Sequence, residues 1–135
     1  MLLQIVEENI REEFPSLEYS LNECGDTLII NGPNDLIGNV ELEDDLDEII
    51  VMVGSFTHWH AACYDQTITK EERYQQISAE IINFLKDLFS NKLVLWGSHK
   101  TGGGFYNIDF DINEQDSPSE PEEIEQFFWS GDKYS

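Results

Sequence analysis

Over the first fourteen residues, apolar side chains fall at Leu2, Leu3, Ile5, Val6, Ile10 and Phe14, and the series Leu2, Val6, Ile10, Phe14 advances by four. That step lays one apolar stripe along a helix and turns Glu7, Glu8, Glu12 and Glu13 to water. Pro15 ends the helix, because the residue before a proline is pushed out of the helical region. From Leu17 the period changes to two: Leu17, Tyr19 and Leu21 alternate with Glu18 and Ser20, as in a half-buried strand. Cys24-Gly25-Asp26 turns the chain into a second strand, Thr27–Ile30. Asn31-Gly32-Pro33-Asn34 breaks that strand, and a third is predicted over 37–42. Ile49-Ile50-Val51-Met52-Val53 is a continuous apolar run of the kind found in central strands. Gly54-Ser55 reads as a bulge, after which the strand continues over 56–60.

A second helix follows. Thr69 and Glu72 have capping-box spacing, and Tyr74, Ile77, Ile81, Phe84, Leu85 and Leu88 recur every three to four residues. Two more strands are predicted over 92–96 and 105–112, joined by the glycine-rich segment 97–104. Ser119-Glu120-Pro121-Glu122 can open a short last helix carrying Ile124, Phe127, Phe128 and Trp129. The element order lacks regular strand–helix–strand alternation. The expected fold is therefore α+β: a mainly antiparallel sheet of about five to six strands, two main helices on one face, and a short C-terminal helix. A length of 135 residues suits a single domain over 1–135, with 112–135 an acidic segment that docks or stays partly mobile.

Composition changes this picture chiefly through charge. Seven Lys and Arg against 28 Asp and Glu give a formal net charge of −21, yet 40% of the residues are hydrophobic, too many for a disordered acidic tail. Self-repulsion at such a density opposes compaction, so selection for stability alone does not explain it. Nucleic acid and anionic membrane are repelled and excluded as direct partners, whereas a basic protein is attracted and its association accelerated. Cys24 and Cys63 do not make a disulfide framework and read as reduced thiols of a cytoplasmic protein. The opening residues have no basic leader region, and no apolar run approaches the roughly 20 residues that span a bilayer.

Candidate chemistry is sparse. On a strand, His58 and His60 point to one face, and Cys63 or Asp65 can approach from the following loop, a donor set that suits zinc. Asp109 and Asp111 share a face of the last main strand and are a second carboxylate source for such a site, although alternation with Tyr106, Ile108, Phe110 and Ile112 already accounts for them. Gly102-Gly103-Gly104 beside Lys100 suggests a phosphate nest, but the lysine precedes the glycines and no helix follows. There is no nucleophile elbow and no dinucleotide fingerprint. The chain is therefore read as a non-enzyme without a cofactor.

The acids themselves form two blocks. The first includes Glu41, Glu43, Asp44, Asp45, Asp47 and Glu48; the second includes Glu122, Glu123 and Glu125, next to Phe127, Phe128 and Trp129. Carboxylates around large aromatic anchors, with Trp59, Trp96 or Trp129 as the anchor, are what a tight binder of a basic surface needs. In overall type, as a small acidic cytoplasmic α+β chain without catalytic motifs, the protein resembles bacterial toxin-immunity proteins. The resemblance implies a protein that inhibits a cognate basic toxin domain and carries no family motif that assigns residues. Two other readings remain open: a small metal-dependent enzyme or metal sensor using His58 and His60, and a nucleic-acid mimic.

Overall fold

The computed structural model describes residues 2–33, 37–54, 57–98, 102–107 and 125–130. Helix α1 (Leu2–Glu13) buries Leu2, Leu3, Val6 and Ile10, the stripe expected from the four-residue step. Helix α2 (Lys70–Phe89) begins at Thr69, whose side chain accepts the Glu72 N–H at 3.1 Å, and carries Glu71 and Glu72 in its first turn, where the helix dipole favours negative charge. Asn91 follows α2 at φ 59, a left-handed residue of the kind that ends many helices. The helices pack together: Asn9 donates to the Ser78 hydroxyl at 2.6 Å, and the rings of Phe14 and Phe89 meet edge to face at 5.4 Å.

Five strands, β1 (Tyr19–Leu21), β2 (Thr27–Ile30), β3 (Val40–Asp45), β4 (Glu48–Val53) and β5 (Thr57–Ala61), form an antiparallel sheet in sequence order. A second antiparallel sheet has the order β7-β6-β8, from β6 (Leu93–Ser98), β7 (Gly102–Asn107) and β8 (Glu125–Phe127). One buried cluster joins Leu28, Leu42, Val51 and Val53 of the large sheet to both helices and to Leu93, Leu95 and Trp129. Trp59, Phe84 and Phe105 meet edge to face or tilted between β5, α2 and β7, with centroids 5.0 to 6.5 Å apart.

The α+β class, the antiparallel sheet and the two main helices agree with the pattern of the sequence. The described strands divide into two sheets, of five and three strands, where one sheet of about five to six was expected, and three details differ as well. The chain reverses after Gly54, where a bulge was expected: β5 runs back along β4, pairing Val53 with Thr57 and Ile49 with Ala61. Gly54 has φ +51, and a Cβ there would fall 1.8 Å from the Ile37 carbonyl oxygen, so only glycine fits. The glycines at 102–104 belong to β7, pairing with Trp96, Gly97 and Ser98, so a backbone drawn out in a ladder replaces the suggested phosphate nest. Finally, Glu125–Phe127 is a strand where a helix was expected. Aromatic residues favour strands, and β6 otherwise presents an unpaired edge that these residues cover.

Replacing Gly54 by alanine is expected to destabilise the protein by about 2 kcal/mol or more in urea unfolding, since both the φ and the Ile37 contact must change. Thr69→Ala is expected to cost about 1 kcal/mol through the lost cap. A Gly54→Ala variant within about 0.5 kcal/mol of the parent would contradict the described turn.

Candidate functional site

Strand register decides what the large sheet offers to a partner. Leu28, Leu42, Val51 and Trp59 form a row on the side where the helices pack. On the opposite face, one row is Ser20, Ile29, Glu41, Met52 and His58, and the next is Thr27, Glu43, Ile50 and His60. Asp45 and Glu48 close the hairpin end of this face. Glu41, Glu43 and Asp45 run along the central strand β3, flanked by half-buried Ile29 on β2 and Ile50 and Met52 on β4, with exposed His58 and His60 on the edge strand β5. No Lys or Arg occurs between Arg11 and Lys70, so none of these five strands carries a cation.

The first acidic block thus divides by parity. Glu41, Glu43, Asp45 and Glu48 belong to the open face. Asp44 turns to the helix side, where its carboxylate accepts the Leu3 N–H of α1. Loss of hydration there outweighs that bond, and the Asp44 carboxyl titrates above the usual aspartate range. Asp47, at the hairpin tip, accepts a hydrogen bond from the Tyr74 hydroxyl of α2, and this bond together with burial raises the tyrosine's pKa. Asp44 and Asp47 therefore tie the hairpin to the helical layer; Asp44 turns away from the open face, whereas Asp47 stays exposed at the hairpin tip.

The tryptophans are also placed differently from expectation. Trp129 is 9% exposed and lies within the core, its ring 5.6 Å from that of Phe89. Trp59 alternates with the two histidines and so faces inward onto Phe84 and Phe105. Its indole N–H is buried and meets no hydrogen-bond partner among the described residues. Neither ring is an exposed anchor. Of the second acidic block, Glu125 lies on β8, whereas Glu122 and Glu123 fall outside the described residues, as do Asp109 and Asp111.

His58 and His60 do share a face, with ring centroids 6.4 Å apart. The groups gathered around His60 are not those expected. Cys63 donates to Gln76 at 3.4 Å, and Asp65 accepts both the backbone and the side-chain hydrogen of Thr67. Instead, Glu48 reaches diagonally across the β4–β5 pair: one oxygen lies 3.0 Å from His60 Nδ1, and the other accepts the Tyr64 hydroxyl at 2.7 Å. Ligand atoms of Asp45, Glu48 and His60 fall within 4.8 Å of one another, so these residues, without His58, are the described set able to approach a metal ion. Reading Gly54-Ser55 as a hairpin would have exposed the Glu48–His60 relation, because it pairs Ile50 with His60 and brings Glu48 diagonally alongside.

The Tyr64 hydroxyl, and after it His60, hold the Glu48 carboxyl below the ordinary glutamate value of 4.5. A carboxyl whose folded pKa is depressed contributes stability above its unfolded pKa and loses it as pH falls through the folded value. Tyr64→Phe removes the larger cause and is expected to raise the Glu48 midpoint in a carboxyl-carbon NMR titration. An unmoved midpoint would contradict the Tyr64–Glu48 bond.

Among the described residues, no helix is long and apolar enough to cross a membrane. No family model, curated protein or solved structure matches the chain.

Proposed function

We propose that this chain is an acidic binding protein that neutralises a basic protein, in the manner of immunity proteins that block a cognate bacterial toxin. One observation carries the reading: the open face of a sheet without a single cation, on which a row of carboxylates along the central strand is flanked by half-buried apolar side chains. Apolar residues desolvated in an interface give affinity, and the charges beside them govern encounter rate and partner choice. Ile29, Ile50 and Met52 take the anchoring role that Trp59 and Trp129 do not fill. Glu41, Glu43, Asp45 and Glu48 meet lysine and arginine of the partner. Free thiols at Cys24 and Cys63 accord with a reducing, cytoplasmic setting.

The test is capture of a partner from the source cell's lysate at low salt, followed by kinetics on the captured protein. Association is expected to slow at least about tenfold as salt rises from roughly 0.05 to 0.5 M, because charge steering is screened. Glu41→Lys with Glu43→Lys is expected to slow it further at low salt, while Glu71→Lys on α2 changes it little. An on-rate indifferent to salt, or equal sensitivity at Glu71, would overturn the reading.

A second reading, a metal-dependent enzyme or sensor, is favoured by the convergence of Asp45, Glu48 and His60. This is a smaller donor set than the four ligands of a closed zinc site. The two readings separate on chelation. Partner capture is expected to survive EDTA, and its loss together with release of zinc would move the function to this metal site.

A further inference from the structure

Beside the open face, the tip of the β3–β4 hairpin and the chain after β5 enclose a notch of about 490 Å³, lined among others by Asp45, Leu46, Asp47, Glu48, Tyr64 and Arg73. Two of its walls are unusual for surface residues. Leu46 is 86% exposed and Tyr64 75%, the highest values among the exposed large hydrophobic side chains described. Leu46 also occupies the first position of a two-residue hairpin loop at φ 62, where glycine, asparagine or aspartate is preferred. Turn stability therefore does not explain a leucine there.

We propose that this notch receives one arginine or lysine side chain of the basic partner. The proposal rests on the binding function above and assigns its point of insertion. Leu46 and Tyr64 offer apolar surface for the aliphatic stem, and Asp45, Asp47 and Glu48 surround the charged head. Glu48 is already oriented, one oxygen by Tyr64 and the other by His60, so little freedom is lost when a cation arrives. Asp47 is likewise held by Tyr74. The resident cation, Arg73, donates to the Ile68 carbonyl at 2.9 Å, and three carboxylates around one guanidinium leave the notch electronegative. A long basic side chain matches both parts of this lining, and a guanidinium adds bidentate contact with a carboxylate. Tyrosine and arginine are also among the residues enriched at interface hot spots.

The test is an amide NMR titration of the full chain with the blocked peptide acetyl-Gly-Arg-Gly-amide at about 0.15 M salt, a level that screens non-specific attraction. The same peptide with citrulline, a neutral isostere of arginine, is the control. Saturable shifts at Leu46–Glu48 and Cys63–Gln66 with arginine, absent with citrulline, are the expected result. Tyr64→Ala is expected to weaken this binding about tenfold or more, and Leu46→Gly, which relieves the backbone, to weaken it without loss of fold. Shifts confined to Glu41, Met52 and His58 would overturn the notch and leave the acidic face as the binding surface. An absence of arginine-specific shifts anywhere would count against both, and equal shifts with citrulline would show that charge is not what the notch selects.

Discussion

The pairing of β3 with β4 governs both the stability and the surface of this protein. Along β3, Val40 and Leu42 alternate with Glu41, Glu43 and Asp45, and the register Leu42↔Val51 and Glu43↔Ile50 sends the first set inward and the second outward. A slip of one residue would exchange the two sets, placing glutamates in the core at a cost of several kcal/mol each. Several contacts oppose the slip. Asp47 is bonded to Tyr74, Asp44 to the Leu3 N–H, and the Gly54 N–H to the Asn39 carbonyl at 2.7 Å. The alternation that fills the core is therefore also what arrays carboxylates over the open face.

Cations are kept apart from that face. The described lysines and arginines sit on the helices or just beyond them, where several are engaged locally: Arg11 with Glu7 at 3.3 Å, Lys86 with Glu13 at 2.5 Å, and Lys70 over the Tyr74 ring at 5.4 Å. Exposed pairs of this kind contribute little to stability. Their consequence is positional. Positive charge lies with the helical layer, and the sheet behind it is left with acids and two histidines. A field with this asymmetry orients an approaching basic protein towards the sheet before any contact forms.

Much of the scaffold was legible because period and caps are local properties. The four-residue step of α1, the Thr69 cap of α2 and the alternation of β1 and β2 each depend on neighbours a few positions away. What escaped depends on distant pairing. A Gly-Ser pair between two apolar runs is compatible with a bulge or a hairpin, and the pairing of β5 with β4, with Ile37 packed on Gly54, decides between them. Phe127 reads equally well on a helix or a strand until the edge of β6 is there to pair with it. The site followed the same rule. Parity placed His58 and His60 together, but identifying Glu48 and Tyr64 as the neighbours of His60 needed the β4–β5 register. The inward turn of Trp59 followed from the parity that turned the histidines outward, and its consequence for a partner-binding surface is visible only once the helical layer is placed.

A basic partner is drawn to wherever the protein's negative potential is deepest. That potential can be measured residue by residue by comparing the NMR relaxation that a cationic and an anionic nitroxide cosolute induce at backbone amides. The most negative near-surface potential is expected over Glu41–Asp45 and Glu48–Met52, with weaker values along α2. A uniform potential, or one deepest over the helical layer, would contradict the claim that the sheet presents a face built to meet a cationic surface.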